Sequence, residues 1–241
     1  MKGFFKFIFG LVIVLAIVIG GLYVVLSLPK KVDVKWTAAD LESYNRKVGA
    51  SIGSQGIKPA GMEDMLFGNF TSSGTLEVEG VVTPAEATAM VNSVLRDGSI
   101  FTDINMNFRD DGTMEVSGKL GPGVKDIFEM FPEAKKYIDN PVVDFAMKAI
   151  EGRPIYWRCS IERIDNNTFD GHTEELRIGM IPIPLAQAGE GLTEAGSAIN
   201  NLLGKMDGFS CDAFSIDSEG LHFKGTIPDK LQYVNENPIM N

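Results

Sequence analysis

The side chains of this chain that could do chemistry are few and far apart. Its histidines are His172 and His222, and its cysteines are Cys159 and Cys211. Metal sites draw on His, Cys and carboxylate ligands clustered at short fixed spacings. No H-x-H, H-x-x-x-H or C-x-x-C occurs, so no metal site is expected. Gly49-Ala50-Ser51-Ile52-Gly53 matches the G-x-S-x-G nucleophile elbow, which works only where a buried strand feeds a strained turn into a helix. Gly/Ser-rich sequence surrounds it, and a loop is expected instead. Glu77 and Glu79, Asp110-Asp111 and Glu174-Glu175 bring carboxylates together, but each pair suits a solvated strand face or a turn, and none is singled out as a glycosidase pair. There is no Walker loop and no G-x-G-x-x-G, and Gly121-Pro122-Gly123 reads as a linker. The chain is therefore expected to be non-catalytic and to carry no cofactor. A hydrolase using His172, Glu174 and Glu175 is the outlying alternative.

Two cysteines are too few for a disulfide scaffold. Cys159 shares strand parity with Trp157 and Ile161, and Cys211 with Phe209 and Ala213. They read either as two buried free thiols or as one inter-strand disulfide, which an extracytoplasmic compartment permits.

The net charge of −10 opposes binding to phosphate backbones, so nucleic acid is not an expected partner. The membrane is. After a short basic tail (1–6) with Lys2 and Lys6, residues 7–28 contain no charged side chain, a length that spans the hydrocarbon core as one helix. The run is longer than a signal-peptide apolar region, and Leu26-Ser27-Leu28 does not fit a small-x-small cleavage site, so an uncleaved signal-anchor is expected. A large domain following so short a tail favours an extracytoplasmic location.

Residues 29–69 read as a juxtamembrane helix over 36–48, N-capped near Thr37, and then a Gly/Ser-rich linker. From Phe70 the period switches to two, and Leu76 and Val78 alternate with Glu77 and Glu79. Thr83-Pro84-Ala85-Glu86 is a capping box with proline at the first helical position, predicting a helix from Pro84 to about Leu95. Asp111-Gly112 predicts a hairpin between strands around 100–108 and 114–120. Residues 124–150 read as two helices inserted before strands at 155–164 and 168–180. Leu185–Lys205 is the longest predicted helix, with Leu185, Ala188, Leu192, Ala195, Ile199, Leu202 and Met206 on one face. A last hairpin covers 209–217 and 221–228.

Strand, proline-led helix and hairpin thus occur twice, over 70–120 and 168–228. The fold class is α+β: two β-α-β-β halves forming a curved antiparallel sheet around long amphipathic helices, in a domain spanning 70–241 behind the transmembrane helix. Methionines recur on the inward parities, and their soft side chains suit a wall that accepts ligands of varied shape. Met106, Phe108, Met114, Val116, Ile178, Met180, Leu192 and Ile199 are the expected lining of an apolar cavity for a lipid.

The run Asn166–Leu192, with its Ile181-Pro182-Ile183-Pro184-Leu185 lead into a helix, together with Thr83–Leu95 and Phe101–Leu120, resembles the YpmS-like proteins. That resemblance covers about 70–228. It implies a single-pass, envelope-facing protein of a Gram-positive bacterium with a strand–helix layout like tubular lipid-binding domains. The insert at 124–150 departs from the family pattern. The reading reached is a membrane-anchored extracytoplasmic module that binds a lipid or another apolar ligand. The main alternative is an envelope scaffold that binds a protein partner.

Overall fold

A computed structural model describes residues 26–49, 70–95, 99–125, 148 and 150–233. The chain is α+β, and its described strand pairs are antiparallel. Most of the apolar run (7–25), the Gly/Ser-rich stretch with the G-x-S-x-G match, and most of the 124–150 insert lie outside the described residues. Among the described residues no helix is long and apolar enough to cross a membrane.

Helix α1 spans Ala38–Val48. The Asp40 carboxylate accepts from the Thr37 backbone N–H at 2.7 Å and from its hydroxyl at 2.8 Å, and Gly49 closes the helix in the left-handed conformation at φ 65°. Strands β1 (Phe70–Ser73) and β2 (Leu76–Val82) follow, then helix α2 (Pro84–Val94). The predicted capping box starts α2: Glu86 N–H donates to Thr83 Oγ1 at 3.3 Å, and Thr83 N–H donates to Glu86 Oε2 at 2.9 Å. Strands β3 (Phe101–Phe108) and β4 (Thr113–Leu120) form the Asp111-Gly112 hairpin. Gly112 takes φ 79° there, a conformation that costs glycine nothing. Then come β5 (Pro154–Arg163), β6 (Phe169–Ile178), the two-residue β7 (Ile181–Pro182), helix α3 (Leu185–Lys205), β8 (Ser210–Asp217), β9 (Gly220–Ile227) and β10 (Lys230–Tyr233).

The strands do not make the single curved sheet expected from the duplication. Among the described residues they make three sheets, ordered β3-β4-β5-β6-β7, β2-β9-β8 and β1-β10. The two halves are interleaved. The strand before the helix of the first half, β2, pairs with the closing strand of the second, β9, while the β3-β4 hairpin joins the second half through β5. Each half on its own would leave hairpin edges with unpaired N–H and C=O groups, and the exchange covers them.

Register in the five-stranded sheet sorts its residues into rows. Phe108, Met114, Cys159 and Thr173 lie directly opposite one another, and so do Met106, Val116, Trp157 and Leu176. These rows face the three-stranded sheet. Ala87, Phe108, Met114, Cys159 and Ile216 form the central cluster there, with Val82, Trp157, Ile161, Phe214 and Leu221 packed around them. Burying a side chain such as Phe108 or Met114 contributes about 1.5–3 kcal/mol.

Helix α2 covers the free edge of the five-stranded sheet. Thr88 is fully buried, and its hydroxyl accepts from Met106 N–H at 3.0 Å. Asn92 accepts from Ile104 N–H at 3.2 Å and donates to Ile104 O at 2.6 Å and to Thr88 O at 2.8 Å. These two side chains satisfy backbone groups of β3 that a neighbouring strand would otherwise pair. Asn200 of α3 does the same for β6, accepting from Phe169 N–H at 2.9 Å and donating to its carbonyl at 2.8 Å. The two asparagines sit in matching runs, V-N-S-V-L and I-N-N-L-L, yet clasp different strands of their halves.

Candidate functional site

The residues expected to line one cavity separate into three places. Met106, Phe108, Met114 and Val116 come together in the central cluster, but as close packing: Phe108 is 2% exposed and Met114 7%. Ile178 belongs to a second cluster with Leu120, Phe101, Ile150 and Ile155. Met180 and Ile199 are exposed, at 43% and 44%. Both correct the sequence expectation. Met180 follows Gly179, which turns at φ 60° between β6 and β7, and a turn ends the strand parity on which the inward assignment relied. Ile199 precedes the clasping Asn200, and successive residues of a helix point about 100° apart. The side chain of Leu192 lies outside the described residues.

Cys159 and Cys211 are both free and buried, so the disulfide reading is corrected to two thiols. Cys159 belongs to the apolar row of β5, and burial, reinforced by the Glu174 charge, pushes it up to about 12. Cys211 lies where the β8–β9 register shifts, and its thiol faces the Ala213 carbonyl at 3.5 Å. The hydrolase candidates all lie on β6. His172 is exposed, Glu174 pairs with Arg158 at 3.0 Å, and Glu175 pairs with Lys30 at 2.5 Å and with Arg177.

The structure gathers a polar constellation that the sequence reading passed over, on the outer face of the five-stranded sheet. The register that builds the apolar rows also builds polar ones: Asn107, Glu115, Arg158 and Glu175 in one, and Asn105, Ser117, Tyr156 and Arg177 in the next. Residues 26–33 cross this face as a strap. Val32 N–H donates to Ser117 Oγ at 3.0 Å, and the Ser117 hydroxyl donates back to Val32 O at 3.3 Å. Both Val32 and Ser117 are buried. Lys30 Nζ sits 4.0 Å from the centre of the Tyr156 ring while pairing with Glu175. Arg153 donates to Ser27 Oγ at 2.5 Å, and the backbone of Leu26 lies so close to Gly179 that a Cβ there would fall 2.4 Å from the Leu26 carbonyl oxygen.

Under the strap the charges are interlocked. Tyr156 donates to Glu115 Oε1 at 2.6 Å, and Arg109 and Asn107 both donate to Glu115 Oε2 at 3.3 Å. Burial raises the Glu115 carboxyl, but these three donors outweigh it and hold the group below its ordinary value. Burial, followed by the Glu115 carboxylate, drives the Tyr156 phenol well above the usual tyrosine range. Arg158 reaches Asp111 at 2.6 Å and Thr113 Oγ1 at 3.1 Å. One sequence signal pointed here: Ser117 and Tyr156 occupy positions of polar parity, where a freely solvated face would carry long charged side chains.

Between the strap and the sheet lies a cleft of about 420 Å3, lined by residues that include Ser27, Pro29, Lys30, Lys31, Lys119 and Arg153. A shallower hollow of about 360 Å3 lies over β2, β8 and β9. At the β8–β9 turn, Asp217, Glu219 and His222 bring their donor atoms within 4.8 Å of one another, the one group among the described residues that could hold a cation. His222 Nε2 is 2.8 Å from Asp217 Oδ2, and that contact, with the backbone N–H groups of Glu219 and Gly220, holds the Asp217 carboxyl below its ordinary value. The turn accounts for the geometry without an ion, because Asp217 Oδ1 accepts from Glu219 N–H at 2.8 Å.

Comparison with family models, curated proteins and solved structures finds no match to this chain.

Proposed function

We propose that the chain is a membrane-tethered, extracytoplasmic, non-catalytic domain that holds a lipid or other apolar ligand in the cell envelope, with residues 7–28 as its single transmembrane helix. The observation that supports it is the seating of residues 26–33. The end of the apolar run and the segment that follows it lie directly against the large sheet, held at Ser27, Lys30 and Val32. A domain strapped in this way stands beside the bilayer with no free stalk. Helix α1 extends the same docking, since Lys47 donates to Glu86 and to Val81 O, both at 2.7 Å. The ligand lies on apolar surface left uncovered, at Met180 and Ile199, and not between the sheets, where the side chains are packed together.

That packed interior favours a second reading, an envelope scaffold that engages a protein partner without any ligand. Native mass spectrometry of the full chain, extracted in mild detergent from bacterial membranes, separates the two. Retained lipid that is lost on Met180→Asp and Ile199→Asp is the result expected of ligand binding. Ligand-free spectra, with stability unmoved by added lipid, leave the scaffold.

A further inference from the structure

The cleft beneath the strap is lined by more cationic than anionic side chains. The chain carries a net charge of −10, yet this cleft is lined by Lys30, Lys31, Lys119 and Arg153 against Asp33 and Asp103. Lys30 is engaged by Glu175 at 2.5 Å, Lys119 by Asp103 at 2.6 Å, and Arg153 donates to Ser27 Oγ at 2.5 Å. Lys31 is exposed and has no partner among the described residues. Asp103 is itself unusual. It holds φ 53°, sits at the register shift in β3, and lines the cleft.

We propose that this cleft binds the phosphate headgroup of an anionic phospholipid. Its position argues for a lipid rather than a soluble phosphate, a step that rests on reading residues 7–28 as the membrane helix. Pro29, Lys30 and Lys31 line the cleft immediately after that run, and Ser27 lines it at the run's end, so its mouth stands at headgroup level. Lysines placed there lie within a Debye length of any anionic headgroup in the adjoining leaflet. A volume of about 420 Å3 accommodates a glycerophosphate group with water. The Lys31 ammonium supplies charge-assisted donors to phosphate oxygens, and Lys119 lines the same cleft. The site adds headgroup selectivity to a domain whose apolar contacts alone would not distinguish one lipid from another.

The test uses the full chain in detergent, titrated with dihexanoyl-phosphatidylglycerol or dihexanoyl-phosphatidylcholine and read by native mass spectrometry. Phosphatidylglycerol should bind more tightly than phosphatidylcholine. Lys31→Ala and Lys119→Ala should each weaken it about fivefold. Lys224→Ala, on the other sheet, should leave it unchanged. Equal affinity for the two lipids, or an unaltered affinity in both cleft variants, overturns the proposal. Inorganic phosphate that binds in the cleft while short-chain phosphatidylglycerol does not overturns the lipid source. The anchor is scored separately, by carbonate-resistant partition of the full chain into vesicles. Failure there removes the membrane helix, whereas the short-chain titration reads the cleft alone.

Discussion

Asn92→Asp tests whether the edge of the large sheet depends on a side chain standing in for a strand. Asn92 Nδ2 donates to Ile104 O at 2.6 Å and to Thr88 O at 2.8 Å, while its Oδ1 accepts from Ile104 N–H. The substitution keeps the shape and the acceptor but replaces both donated bonds with carboxylate oxygen against carbonyl oxygen. Ile104 is 6% exposed, so water cannot readily replace the lost donor. Losing the two bonds and leaving buried acceptors unsatisfied should cost about 2–4 kcal/mol at pH 7. For a domain of this size that lowers Tm by roughly 2–4 °C per kcal/mol. The sign with pH follows. Facing two carbonyl oxygens, the introduced carboxyl has a folded-state pKa raised above its unfolded value of about 3.9. The penalty is therefore full above the folded pKa, and it shrinks as pH falls through that value and the neutral acid regains a donor. Urea unfolding of the full chain followed by far-UV circular dichroism, with wild type compared at each pH, reads this directly. Asn92→Leu, which cannot titrate, is the pH-independent companion. A penalty below about 0.5 kcal/mol at pH 7, the range of an ordinary surface change, or an equal penalty at low pH, refutes the clasp.

Wild-type stability should hold as pH falls to about 4.5 and then drop, because the folded-state carboxyls of Glu115, Glu86 and Glu175 lie below their ordinary values and their contribution is lost as pH passes through them. Glu115→Gln should flatten that acid limb, and an unchanged limb would mean the Tyr156–Arg109–Asn107 donors contribute nothing. Cys159, pushed up to about 12, should resist iodoacetamide in the native chain near pH 8, where only about one thiol in ten thousand is thiolate, and react once urea unfolds the protein. Modification of native Cys159 within minutes, located by peptide mass mapping, would contradict its burial. Thr83→Ala should cost about 1 kcal/mol by removing the acceptor that caps α2, measured as a shift in the urea midpoint with unchanged slope.

Local order in this chain is written in nearest-neighbour chemistry. Thr83-Pro84-Ala85-Glu86 specifies the start of α2, Asp111-Gly112 the β3–β4 turn, and the period-two runs the strands, because caps, turns and pleats depend on residues within a few positions of one another. Both α1 and α3 likewise lie where the sequence reading put them. The short strands β1 and β10 were not legible, since four residues carry too little pattern and their pairing joins Phe70 to Tyr233 across most of the domain. Parity assigned Met106, Phe108, Met114 and Val116 to the interior correctly, but it could not tell a packed wall from a lined cavity, which depends on what the opposite sheet presents. It misplaced Met180 and Ile199, where a turn and a helix rotation end the period. The docking of residues 26–33 and the cleft beside them were beyond it altogether, because Val32 meets Ser117 and Lys30 meets Glu175 at separations of 85 and 145 residues. Contacts that distant leave no local pattern. The sequence by itself therefore determined the apolar run and most of the described elements. Only the tertiary structure decided which faces met, for that is settled by register and strand exchange between halves far apart in the chain.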